Sequence, residues 1–350
     1  MSITAHERPG VYSSYDASAA VSGAAGSKYV GLAVRMSQSA QSVWQFTRYE
    51  QAVAAFGTGE AAQLVRLLLE NGAAQVFVYP VEGEDKAAYQ TAFDAMAAQE
   101  GLAVLVCDST LVQVQQALRD SVSTASAAQR ERIAVVAGAA GESVSELVER
   151  AQAINSERVV LTAPGCVDEQ GTGGSGVQVA AAVAGVIAGQ SDPAVPLGGA
   201  VLGGLYGLDG RYEDSELDAL IRGGVTPVEE LSGTVRVVRG VTTRTSTDGA
   251  LDSTWRDLNS ILVVDDVIPT ARNALKSRFS RAKNTAQTRG AIRSQVVLEL
   301  ENKLTREIIT GYSGVSVQQD SEEPTRCLVD FSFTVTHGIN QIWLSAHITI

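Results

Sequence analysis

A chain of 350 residues with 45% hydrophobic and 19% charged side chains can bury large cores, is too rich in apolar residues for wholesale disorder, and points to two or three domains. Its 27 Lys and Arg against 39 Asp and Glu give a formal charge of −12, which argues against general nucleic-acid or anionic-membrane binding. Cys107, Cys166 and Cys327 form neither a zinc spacing nor a disulfide framework, no apolar run is long enough to span a bilayer, and MSITAHERPG lacks the segments of an export signal, so soluble intracellular synthesis is expected.

Residues 1–27 show no periodic apolar face and read as an extended arm around Val11, Tyr12 and Tyr15 followed by a small-residue linker. Residues 28–84 read as a small α/β domain: a strand in YVGLAV, another from Trp44 to Tyr49, a helix from Glu60 to Glu70 stopped by Asn71-Gly72, and a strand from Gln75 to Val81. A regular alternation then runs through 85–239. Helices are expected at 85–99, 110–128, 143–154, 176–189 and 214–222, with strands at 102–107, 132–137, 157–162, 225–231 and 234–239. Continuous apolar strands separated by helices signal a parallel sheet covered on both faces.

Residues 240–350 read as an α+β domain, making the whole chain α/β and α+β multidomain. A strand is expected from Ser260 to Val264, capped by Asp265-Asp266, then helices at about 269–279 and 288–307 and a strand at 314–318. The terminal stretch alternates with period two: Val329, Phe331, Phe333 and Val335, then Ile342, Leu344, Ala346, Ile348 and Ile350 after a His337–Asn340 turn. An apolar-faced strand at a free terminus either closes its own sheet or pairs beside a strand of another molecule, and pattern alone leaves both open.

Catalytic chemistry finds little purchase. The three histidines, His6, His337 and His347, all lie outside the 85–239 alternation, so no Ser-His or Cys-His pair can be built within it. Gly171–Gly176 matches G-x-G-x-x-G and runs into a helix, which leaves a nucleotide-binding α/β enzyme as the alternative reading. Residues 163–170 intervene, however, where the phosphate turn should follow its strand at once. Asp265 and Asp266, if in a strand, face opposite ways and make no carboxylate dyad. Trp44, Trp255 and Trp343 are isolated and read as packing residues. No cofactor or metal is expected. Arg272, Lys276, Arg278, Arg281, Lys283, Arg289 and Arg293 fall in a stretch without Asp or Glu, so a cationic patch sits on an anionic body and suits an acidic protein partner.

Taken in order, Arg8-Pro9-Gly10-Val11-Tyr12, the small-residue helix Ala180 to Gly189, Leu220 to Val225, Val237 to Thr243, Trp255-Arg256-Asp257-Leu258, Val264 to Ile268, Phe279 with Lys283-Asn284, and the terminal IWLSAHITI resemble the tail sheath proteins of contractile phage tails and phage-tail-like particles. The resemblance covers nearly the whole chain. It implies a structural subunit, not an enzyme, that stacks in six-fold rings around an inner tail tube, with baseplate and tail terminator proteins as further partners and a virion or tail-like particle as its location. It implies a subtilisin-like middle domain without catalytic groups, a C-terminal domain facing the tube, and terminal arms that join strands of adjacent subunits. The chain departs from larger members by being compact, so their bulky outer insertions are expected to be absent.

Overall fold

The computed structural model describes residues 28–36, 42–173 and 175–348. Eight strands form one sheet in the order β2-β3-β1-β4-β5-β6-β7-β8. They are β1 (Tyr29–Arg35), β2 (Trp44–Phe46), β3 (Gln75–Val81), β4 (Leu102–Cys107), β5 (Ile133–Ala137), β6 (Val159–Ala163), β7 (Val225–Leu231) and β8 (Thr234–Val237). The inner pairs are parallel, and only the outer β2 and β8 run antiparallel to their neighbours. Burial along LAVLVC, IAVVA and VVLTA is nearly complete, as a sheet with two covered faces requires.

Helices α1 (Tyr49–Phe56), α2 (Glu60–Glu70) and α6 (Gly176–Gly189) pack on one face, and α3 (Lys86–Ala97), α4 (Val112–Ala127), α5 (Val144–Ile154) and α7 (Asp214–Arg222) on the other. Asp85 caps α3 through the Ala88 amide at 2.9 Å, and Ser143 with Glu146 forms a capping box on α5. Residues 28–84 share this sheet with residues 85–239, because β1 lies hydrogen-bonded between β3 and β4. The strand expected through Tyr49 is corrected: β2 stops at Phe46 and Tyr49 opens α1.

Helix α6 is apolar all round and crosses α2 at glycines. A methyl group on Gly185 would stand 2.7 Å from Asn71 Cβ and 2.8 Å from the Leu68 carbonyl. Beside it, Gly72 and Gly189 bring their backbones together, one Cα 2.8 Å from where the other's Cβ would be. Gly185→Val is therefore expected to cost about 1–3 kcal/mol or more through overpacking, read as a lower urea midpoint with an unchanged slope.

After the short hairpin β9 (Ser246–Thr247) and β10 (Ala250–Leu251) come α8 (Leu258–Phe279), α9 (Ala286–Thr305), β11 (Ile309–Gln319) and β12 (Cys327–Val335). The strand expected at 260–264 is instead the first turns of α8, and Pro269 lies inside that helix rather than at its start. SILVV looks like a strand because it is apolar on every side, and the cause is burial between two cores. Leu258, Ile261 and Leu262 pack into the core beneath the large sheet, while Val263 and Val267 pack with Val296, Leu300 and Ile309. Strands β11 and β12 form a separate antiparallel pair, with Tyr312 opposite Phe333 and Val317 opposite Val329. The pair is bulged where Gly314 takes φ +68°.

Candidate assembly surface

The two sheets treat their edges differently. Strand β8 is covered by the segment before it: Gly199 N donates to the Val237 carbonyl at 2.7 Å, Val237 N to Ala200 at 3.0 Å and Leu202 N to Val235 at 2.9 Å. At the far side β2 is only three residues long. Both devices blunt strand addition. The β11–β12 pair has 11 and 9 residues and, among the described residues, no third strand on either side. Val329, Phe331, Phe333 and Val335 are half-buried against α8 and α9, so one face of this pair is already packed while its edges are open among the described residues.

Of the two arrangements open to the terminal strand, closure of its own sheet is not seen among the described residues. After Val335 the backbone is held briefly, by Thr336 N to the Ile308 carbonyl at 3.3 Å and Asn259 Nδ2 to the Thr336 carbonyl at 3.3 Å. Residues 337–348 then make no strand. Ile342, Leu344 and Ile348 stand 85%, 92% and 85% exposed, and Ala346 is exposed as well. Trp343, expected to be a packing residue, is 90% exposed. Among the described residues β12 pairs with β11 alone, and no strand fills the position on its other edge. Val11, Tyr12, Tyr15 and Ile350 lie outside the described residues.

The seven cations of the basic segment do not make one free surface. Arg272 pairs with Glu131 at 2.9 Å, Arg278 donates to Gln295, Arg289 to Asn284 at 2.8 Å, and Arg293 to the Val315 carbonyl at 3.0 Å. Lys276, Arg281 and Lys283 remain exposed around the α8–α9 turn without an ion-pair partner among the described residues.

The glycine loop is occupied by its own carboxylate. Asp168 Oδ1 accepts from Gln170 N at 3.0 Å and Thr172 N at 2.9 Å, and Oδ2 accepts from the Thr172 hydroxyl. These bonds hold the Asp168 carboxyl below the usual carboxylate range. An anion is thus already seated where backbone amides would have to meet a phosphate. Burial pushes the Cys107 thiol up to about 12 and the Cys166 thiol to about 11, far from the reactive range.

Ion pairs between α8 and its neighbours escaped sequence reasoning. Asp265 takes both ends of the Arg158 guanidinium, at 2.8 and 2.9 Å, and Asp266 takes Lys303. The expected cap is thereby corrected: both carboxylates lie inside a helix and tie it to the large sheet and to α9. Burial is the main influence on Asp265 and raises its pKa in spite of Arg158. Lys28, where the described chain begins, donates to the Gln190 carbonyl at 3.4 Å and has its pKa lowered by burial, opposed by Asp266 and Asp265.

Two family models match: the phage tail sheath protein central domain over residues 82–243 and the phage tail sheath C-terminal domain over residues 251–349. A tail sheath protein of Bacillus phage SP01 is 27% identical over 319 residues, which cover 87% of this chain and 52% of that protein. The chain therefore spans about half the length of that curated relative. Among solved structures, a chain of the anti-feeding prophage baseplate superposes with TM-score 0.77 at 16% identity, covering 99% of this chain and 100% of that one. The contracted helical sheath of the same particle gives 0.73 at 16% identity, with 98% and 99% covered.

Proposed function

The chain belongs to the phage tail sheath proteins, and on that premise we propose that it is a structural subunit of a contractile sheath, stacked in six-fold rings around an inner tail tube and linked to its neighbours by exchanged terminal strands. The observation that carries the reading is the pairing of an open-edged two-stranded sheet with an exposed apolar tail in the same molecule. Residues 342–350 of one copy add beside Val329–Val335 of the next, and the arm around Val11, Tyr12 and Tyr15 adds to a further neighbour. Nine residues reach about 30 Å, enough to cross between subunits. Each ladder bond contributes about 0.5–1.5 kcal/mol net, and burial of Ile342, Leu344 and Ile348 adds about 1.5–3 kcal/mol apiece before the cost of association.

The strand order, which turns back at β1, supports a subtilisin-like middle domain. Contraction is then a downhill repacking of bodies that stay tethered, needing no nucleotide. The particle, whether virion or tail-like device, supplies baseplate and terminator proteins at the ends of the stack. Electron microscopy of the purified chain tests the reading: ribbed tubes or rings are expected, and a strictly monomeric product rejects it.

Residues 240–350 face the tube, and Lys276, Arg281 and Lys283 are the cations of the 272–293 stretch left free to meet an acidic one. Reversing all three to Glu is expected to leave stability within about 0.5 kcal/mol, because the sites are exposed. Assembly on tubes should weaken most at low salt, where such contacts are least screened. Co-sedimentation with tubes across a salt series measures this, and equal sedimentation of both proteins rejects tube docking.

A further inference from the structure

A cleft of about 330 Å³ opens where α2 and α6 end, lined by Gly72, Val186, Gly189, Val195, Leu197 and Ala200. Its walls are almost wholly apolar, and of its two side-chain amides Asn71 is bonded at both ends while Gln190 is unevenly satisfied. Gln190 donates through Nε2 to the Val195 carbonyl, while its Oε1 is buried with no hydrogen-bond partner among the described residues. That oxygen is closed off from solvent, so what the cleft offers an incoming group is its apolar wall, which suits a flat apolar ring.

The tail presents such a body. Ile342, Leu344, Ala346 and Ile348 fall on one face of the terminal strand, and Trp343 falls on the other between Gln341 and Ser345. A donated strand that lays its aliphatic face over the α8–α9 core leaves this indole without cover. In the separate chain Trp343 is 90% exposed, and its Nε1 reaches only Gln341 of the same tail, at 3.3 Å.

Position supplies the occupant. The end of the small sheet at Ile309 and Val335 lies beside Ala194 in one apolar cluster, and the chain's own tail leaves over the cleft rim, with Gly338 against Pro196. A donor running antiparallel to β12 starts at this end, so its second residue, Trp343, overhangs the sheet toward the cleft. We propose that the cleft is the socket for the indole ring of Trp343 of a second copy. This rests on the strand-exchange reading above and adds a side-chain anchor that fixes the register of the exchanged strand.

The test uses the full-length chain with Trp44→Phe and Trp255→Phe, which leaves Trp343 as the sole tryptophan. On assembly its emission should shift to the blue and resist quenching by acrylamide. Val195→Glu, placed at a half-exposed wall position, should abolish that shift and raise the critical assembly concentration about 10- to 100-fold, the range of a lost aromatic anchor. Trp343→Ala, which removes the ring itself, should raise it by the same roughly 10- to 100-fold. Tubes in which Trp343 still emits as a water-exposed indole overturn the socket and leave strand exchange standing, and so does a Val195→Glu chain that assembles as well as its parent. A parent chain that forms no tubes at all overturns both.

Discussion

A chain ending at residue 341 is expected to fold and melt as the full chain does, yet to form no long sheaths. Among the described residues the side chains removed make no core: Ile342, Trp343, Leu344 and Ile348 are 85–92% exposed, and none of residues 337–348 pairs with β12. Their loss leaves monomer stability within about 0.5 kcal/mol. Assembly loses a ladder of backbone bonds together with three large aliphatic side chains at about 1.5–3 kcal/mol each, so the critical concentration rises by more than about a hundredfold. Calorimetry of the monomer and negative-stain images at matched concentration are the two measurements. Long tubes from the shortened chain would remove the tail from the linkage. A large fall in melting temperature would instead make it part of the fold.

The pattern was most legible where one element meets one environment. Strands β3 and β4 and helices α2, α6 and α7 occupy the spans their periodicity gives, because each is fully covered or has a single buried stripe. Helix α8 was not legible, since its apolar residues serve two cores at once and the 3.6-residue period is lost in a continuous run. The small sheet was half legible. Alternation from Val329 to Val335 marks β12, but β11 begins at Ile309, where Gly311 and Gly314 interrupt the alternation with bulges. As for the assembly surface, the two-residue period of the tail marks a strand without saying whose sheet it joins. The cleft by Gln190 is assembled from residues 71–72 and 186–200, whose closeness depends on the crossing of two helices that no short-range signal reports.

The Arg158–Asp265 pair is the strongest candidate for holding α8 to the large sheet, and its expected behaviour is asymmetric. Both side chains are 13% exposed and the contact is bidentate. Removing the cation alone, with Arg158→Met, leaves a carboxylate buried under the influence of Glu131, with Lys28 still acting to favour its charge. The expected loss is about 3–5 kcal/mol at neutral pH. Replacing both, with Arg158→Met and Asp265→Leu, removes the two desolvation costs together and is expected to stay within about 1 kcal/mol of the parent. Acid separates the cases further. Burial already raises the Asp265 pKa in the folded chain, and loss of Arg158 raises it again. A folded-state pKa above the unfolded one means that the folded chain binds the proton more tightly, so the deficit of Arg158→Met is full above the folded pKa. It shrinks as the pH falls and is gone below the unfolded value of about 3.9. Urea unfolding of the single and double variants at pH 7 and near pH 4 reads both effects. A single-variant deficit that is the same at both pH values, or a double variant as unstable as the single, would show that packing around α8, and not this charge, joins the helix to the sheet.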